Sequence, residues 1–510
     1  MKERYAGVLL PITALPSPYG VGTFGAKAKE FVDFLVKSGQ KVWQVLPLVP
    51  TGYGDSPYSS SCAIAGSPYL IDIDTLIGQG LLTAQEAEEY SCGSSAGNGV
   101  SARVDYAALF YRRIPLLKIA FSRFDRETPD FRAFLAIGEY TDFATFMALK
   151  EAHGWQALST WEKEYRTREE CAMKEFTAAK EEEILFWQFT QYEFFRQWQV
   201  LKDYANVRGI QIMGDMPLYV SEDSVEVWAH PELFLLNGDG APTEVAGVPP
   251  DYFSEDGQLW GNPLYNWEKM KEDGYAWWTA RLKKALSMYD IVRIDHFRGF
   301  DRFYAVPAGS PNAKYGRWYD GPKEALFEDK KDWKIVAEDL GVMDEGVYRL
   351  MRNTGYPRMK ILEFAFDGNP DHEFKPSNYG ENSVVYTGTH DNATFIEFLE
   401  GMNWKQRKIF YKDLASECKK WGVKFSCLPW QTNQSATMHH ARKAIMQVAY
   451  VSRAKYVILP LQDLLGTGAE SRLNSPGTLG TWNWSWRYQE SALNDTLAEE
   501  IHRAVRKGKR

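Results

Sequence analysis

Eight short apolar runs, each cut off by a polar residue, a glycine or a proline, punctuate this chain of 510 residues and leave few folds open to it. They occupy residues 6–10, 42–46, 210–213, 291–294, 335–337, 359–363, 384–387 and 456–461. Runs rich in Val, Ile and Leu without polar alternation read as strands buried on both faces, which is how the strands of a parallel sheet read. Helical patterns lie between most of them, over residues 26–38, 276–288 and from 394 past 399. Strand and helix in alternation predict an α/β fold, and eight such units predict a closed (β/α)8 TIM barrel.

The interval between the second and third runs is far too long for one crossover. Residues 81–206 are rich in helix formers and aromatics, so a mainly helical subdomain is expected there. It ends in a long apolar helix over residues 181–204 that returns the chain to the barrel. Residues 91–99 are rich in Ser and Gly and read as an exposed loop. Two further insertions, 231–267 and 299–333, follow the third and fourth strands and are expected to cover the C-terminal mouth. The whole of 1–510 then forms one catalytic barrel with inserted segments.

Composition narrows the partners. The formal net charge is −8, and the only basic stretch is the tail from Arg503 to Arg510. Cations there complement the dipole of a helix end, and a phosphate backbone is a poor partner for an acidic surface, so no nucleic-acid role is expected. Five scattered cysteines without a C-x-x-C pair argue against a disulfide framework or a zinc site. His439 and His440 lack carboxylate or Cys neighbours at ligand spacing, so neither a metal nor an organic cofactor is implied. No apolar stretch approaches the length of a membrane helix and no leader is visible, which predicts a cytoplasmic enzyme with no membrane association. The 18 tryptophans are a weak hint of sugar binding, because large cores use them too.

Barrel enzymes place their chemistry at the C-terminal ends of the strands. Four carboxylates stand there: Asp215 after the third run, Asp295 after the fourth, Glu338 after the fifth and Asp391 after the seventh. A lone Asp in such a place is often a helix cap; four converging on one axis are harder to explain so. Glycosidic bonds are broken by two carboxyl groups, one protonating the leaving oxygen while the other attacks or activates water. Arg293, two residues before Asp295 on the same strand, points to the same side and would favour the ionised form that a nucleophile needs. Glu338 follows the apolar Val336 and Ala337, and anionic neighbours would keep it protonated, as an acid requires. By strand alternation His296 faces the other way and is left out of the site.

The segments Gly214-Asp215-Met216-Pro217, Arg293-Ile294-Asp295-His296-Phe297, Ala337-Glu338-Asp339-Leu340-Gly341 and Gly388-Thr389-His390-Asp391-Asn392 resemble glycoside hydrolase family 77. This is the amylomaltase, or disproportionating-enzyme, family. Residues 55–60, 247–253, 259–263 and 472–478 are similar to it as well, so the likeness spans nearly the whole chain. The resemblance implies a retaining 4-α-glucanotransferase with Asp295 as nucleophile, Glu338 as acid/base and Asp391 as the stabiliser of the transition state. It implies substrate binding by Tyr58, Asp215, Arg293, His390, Trp260 and Asp251. Donor and acceptor would be α-1,4-glucans and maltooligosaccharides, and the protein a monomer. Apart from the resemblance, His390 also fits a hydrogen-bond partner of Asp391, Tyr58 a loop-packing residue and Trp260 a plug of the barrel. Two other functions use the same residues or the same fold: an amylase-like hydrolase, and a silent glucan-binding protein, against which the presence of both Asp295 and Glu338 argues.

Overall fold

The computed structural model describes residues 3–52, 54–92, 103–250, 255–341, 343–428 and 432–510. Eight parallel strands close into a barrel: β1 (Tyr5–Leu9), β2 (Val42–Gln44), β3 (Gln211–Met216), β6 (Ile291–Ile294), β9 (Ile335–Ala337), β10 (Arg358–Ile361), β11 (Ser383–Tyr386) and β12 (Tyr456–Pro460). They lie round the barrel in chain order, and β1 closes the ring against both β2 and β12. The strands β6 and β9 have the bounds expected from their apolar runs, and the other six shift by at most three residues at either end. Nearly every strand residue is buried, as parallel strands packed on both faces require.

Among the described residues, seven α-helices fill the stretch between β2 and β3 after residue 81, the last of them running over Glu181–Val207. Its Trp187, Phe189, Phe194 and Trp198 are buried, and the Trp198 indole N–H donates to the Met288 carbonyl at 3.1 Å. Two of its amides brace the segment after β2 that carries Tyr58. Gln191 accepts from Gly66 N–H at 2.7 Å and donates to the Gly66 carbonyl at 3.0 Å; Gln197 accepts from Asp72 N–H at 2.7 Å. Residue 66 has to be glycine, because a Cβ there would lie 2.2 Å from the Phe194 ring. Of the loop expected at 91–99, residues 93–99 lie outside the described residues.

The described parts of the two later insertions are mainly strand and loop, with one short 3-10 segment wholly inside each, Pro231–Leu233 and Lys323–Phe327. The strands β4 (Glu244–Val248), β5 (Gln258–Pro263), β7 (Arg302–Pro307) and β8 (Arg317–Asp320) form an antiparallel sheet in the order β5-β4-β7-β8. It grows out of the loops after β3 and β6, which places it at the C-terminal end of the barrel. Most of the large fully buried rings, among them Trp43, Trp228, Trp278 and Trp486, serve the core, whereas Trp260, Trp404 and Trp482 are exposed. No described helix is long and apolar enough to cross a membrane.

Closure at β1 depends on Gly7, which pairs with Val42 on one side and Ile458 on the other. A Cβ at this position would stand 2.6 Å from the Val42 carbonyl oxygen and 2.6 Å from Ile458 Cδ1. Gly7→Ala must push the two neighbouring strands apart, and overpacking of that kind costs about 1–3 kcal/mol. The expected outcome is a folded protein with a lower Tm in calorimetry; an unchanged Tm would contradict the tight register at the seam.

Candidate active site

Asp215 and Arg293 face each other in register across β3 and β6. Both side chains are buried, and Arg293 Nη1 donates to Asp215 Oδ1 at 2.7 Å and Oδ2 at 2.6 Å. The other arm, Nη2, donates to Asp295 Oδ1 at 2.9 Å, so one guanidinium joins two carboxylates. Burial works against the charge on Arg293, but Asp215 and Asp295 outweigh it and hold the guanidinium well above its ordinary pKa. A buried arginine between two carboxylates is a fixed cation. It lies at the floor of the mouth, and Asp295, a third exposed, opens above it.

Glu338 follows β9 and is buried. Its Oε2 accepts from His296 N–H and its Oε1 from Leu340 N–H, both at 2.7 Å. These bonds favour the carboxylate. Burial first and the negative Asp295 second oppose them and push the Glu338 carboxyl up to about 8. At neutral pH Glu338 therefore holds a proton beside a carboxylate that is clamped to Arg293.

Asp391 has the opposite environment. Its Oδ1 accepts from Asn474 Nδ2 at 2.7 Å, its Oδ2 lies 3.4 Å from His390 Nε2, and Arg472 Nη2 donates to its main-chain carbonyl at 3.1 Å. Desolvation is outweighed by His390 and Asn474, which keep this carboxyl at about 2. The pull is mutual: burial lowers the His390 pKa, but Asp391 raises it further, for a net upward shift. His390 is stacked on Tyr58, with ring centroids 4.8 Å apart and an angle of 18°. The Tyr58 hydroxyl donates to Asp215 Oδ2 at 2.9 Å and stands 3.3 Å from His390 Nδ1. Asp215, Tyr58, His390 and Asp391 thus form one polar chain across the mouth, and Trp484 closes its side at 5.7 Å from Tyr58 and 5.8 Å from His390.

Trp260, on β5, is 37% exposed and packs edge-on against His296 at 4.7 Å. The alternation rule fails for His296 because the strand has already ended at Ile294. The residue is left-handed, with φ 50°, and this turns its ring to Trp260 and its N–H to Glu338. Burial pulls its imidazole down to about 3, so the ring next to Trp260 is neutral. Asp251 lies outside the described residues. The other eight residues singled out in the sequence are all at the C-terminal end of the barrel. Asn474 and Arg472, which hold Asp391 in place, carried no role in the sequence beyond their membership in a motif. The main-chain donors to Glu338 left no sequence signal at all.

A closed parallel barrel with a proton-holding carboxyl and an arginine-clamped carboxylate at the carboxyl ends of its strands has the frame of an enzyme acting on glycosidic bonds. Residues 10–494 match the family described as 4-alpha-glucanotransferase. The chain is 44% identical over 507 residues to the 4-alpha-glucanotransferase of Thermus thermophilus, with 96% of each chain covered. It is 39% identical over 507 residues to that of Clostridium butyricum, covering 97% of this chain and 98% of the relative. Among solved structures it is similar to the amylomaltase from Streptococcus agalactiae in complex with acarbose, with a TM-score of 0.91, 40% identity and 100% of both chains covered. The chain belongs to the 4-alpha-glucanotransferase family, glycoside hydrolase family 77.

The Glu338 environment sets a pH dependence. A carboxyl donates its proton below its pKa and not above it, so a reaction that draws on the Glu338 proton should show kcat/KM for a donor glucan falling about tenfold per pH unit beyond about 8. Initial rates between pH 6 and 10 measure this limb. A profile flat to pH 10 would contradict the proton-holding role of Glu338.

Proposed function

We propose that Asp295, Glu338 and Asp391 carry out the retaining transfer of α-1,4-glucan segments, with Asp295 as nucleophile, Glu338 as acid/base and Asp391 as the transition-state stabiliser. The observation that carries this reading is the contrast between two adjacent carboxyl groups: Glu338, raised to about 8, and Asp295, paired to a buried arginine. In the first step Asp295 attacks the anomeric carbon while Glu338 protonates the glycosidic oxygen of the departing chain. A covalent glucosyl ester forms on Asp295 with inversion. In the second step Glu338, now a carboxylate, takes the proton from the 4-hydroxyl of an acceptor glucan, whose oxygen displaces Asp295 with a second inversion. The α-linkage is retained, and Glu338 is left protonated for the next cycle.

The remaining groups serve the sugar. Asp391, negative and partly open to the cleft, can accept hydrogen bonds from hydroxyls and stabilise the positive charge of the oxocarbenium-like state. Asp215, Arg293, His390 and Tyr58 bind the ring that reacts. Trp260 offers an indole face to the acceptor, and Asp251 joins these residues in binding substrate. Transfer outruns hydrolysis when the acceptor and its cover keep water from the ester, and in this reading the strands β4 and β5 serve as that cover. The same proposal takes α-1,4-glucans and maltooligosaccharides as donor and acceptor, with a monomer working in the cytoplasm. No described cluster of His, Cys, Asp or Glu could hold a metal ion, and the steps above need none.

Incubation with maltotriose tests the reaction. Glucose should appear together with maltopentaose and longer chains, with no gain in total reducing ends. A rising count of reducing ends would make the protein a hydrolase, and no change at all would make it a binding protein. Asp295→Asn and Glu338→Gln should each lower transfer by about a thousandfold or more. Trp260→Ala should raise the acceptor KM by about three- to tenfold, the scale of a lost aromatic contact, with less effect on the donor.

A further inference from the structure

Behind the turn that carries His390 and Asp391 lies a second pair of acidic side chains that the reaction does not use. Glu363 follows β10 at the same end of the barrel and is only 4% exposed. Its main-chain N–H donates to the Thr387 carbonyl at 3.0 Å, which ties it to the strand end leading into the turn. Its carboxyl lies beside Asn392, with Asp463, Glu397 and Arg472 around it. Glu363 Oε1 is buried without a hydrogen-bond partner and lies against Gly388, where a Cβ would come within 3.0 Å of it. Asp463 is fully engaged: Oδ2 accepts from the Thr387 hydroxyl and Oδ1 from Phe395 N–H at 2.8 Å.

Asn392 is the link to the site. Its Oδ1 accepts from Thr389 N–H at 2.8 Å and from the Thr389 hydroxyl at 2.7 Å, and that hydroxyl in turn receives Asp391 N–H at 3.3 Å. With its oxygen committed to the turn, Asn392 has its amide N–H left for Glu363. An ionised Glu363 would leave one buried anionic oxygen without a donor and facing further carboxylates, a state of high cost. A neutral carboxyl carries no charge to desolvate, so its burial costs far less, and it can still accept from Asn392.

We propose that Glu363 is a positioning residue: its protonated carboxyl, wedged between Asn392 and Gly388, fixes the turn from Thr389 to Asn392 and so aims Asp391 and His390 at the sugar. The inference rests on reading Asp391 as the group that stabilises the transition state. Glu363 itself touches no substrate, and its effect passes through Asn392 and Thr389. A small displacement of Asp391 affects the transition state more than the bound sugar, because the charge it answers to develops only there.

The test is a set of variants assayed for transfer, with Asp391→Asn alongside. Gln has the shape of a protonated Glu and keeps the acceptor for Asn392, so Glu363→Gln is expected to stay within about threefold of wild-type kcat. Glu363→Ala and Glu363→Asp are expected to lose about ten- to a hundredfold in kcat, while KM moves less than about threefold. If Glu363→Ala does not fold by circular dichroism, the contrast between Glu363→Gln and Glu363→Asp decides. Wild-type kcat in Glu363→Ala, or in Glu363→Asp where only that variant folds, overturns the positioning role. A Glu363→Gln as impaired as Glu363→Asp overturns the neutral carboxyl. Full activity in Asp391→Asn removes the premise, whereas an inactive Asp391→Asn with an unimpaired Glu363→Ala overturns this proposal alone.

Discussion

The buried guanidinium of Arg293 is the constraint around which the catalytic end of the barrel is arranged. It lies between Asp215 at the end of β3 and Asp295 at the end of β6, and hydrogen-bonds both. Removing one member of such a set leaves a charge buried without compensation, which is far costlier than losing a surface pair. Asp215, fixed from below, receives the Tyr58 hydroxyl, Tyr58 stacks on His390, and His390 faces Asp391. A single fixed cation therefore sets the position of a polar chain reaching from β3 across to the loop after β11.

The same arrangement divides the acidic groups by function. Glu338 has only main-chain donors and an anion nearby, and it is driven toward the neutral form. Asp391 has a histidine and an asparagine, and it is driven toward the charged form. Both residues are carboxylic acids at the same end of one barrel, after β9 and β11; their difference comes from their surroundings. Behind them Glu363 has a buried carboxyl oxygen without a donor, whereas Asp463 has each oxygen engaged.

The barrel was legible in the sequence because its strands are buried on both faces and so form unbroken apolar runs, as Ile291–Ile294 and Ile335–Ala337 do. The antiparallel sheet was not. The strands β5 and β8 are largely exposed, and Gln258–Pro263 and Arg317–Asp320 carry no apolar pattern that distinguishes them from loop. The carboxylates could be found because each stands at or within a few residues of the C-terminal end of a strand. The ring of His296 could not be placed, because a left-handed residue breaks the alternation on which that reading depends. Asn474 and Glu363 reach the site only through closure of the chain: Asn474 contacts a residue 83 positions away, and Glu363 acts through a turn that follows the next strand. Neither spacing nor periodicity carries that information.

In the proposed reaction Asp295 becomes covalently bonded to the sugar. α-Glucosyl fluoride tests it most directly in the Glu338→Gln variant, because fluoride departs without a proton from residue 338 while release of the glucosyl group to an acceptor is slowed. After quenching and digestion, peptide mass spectrometry should find one glucosyl group, attached to the peptide that contains Asp295 and assigned to that side chain by fragmentation. A glucosyl group on Asp215 or Asp391, or fluoride release with no labelled peptide, would contradict the account.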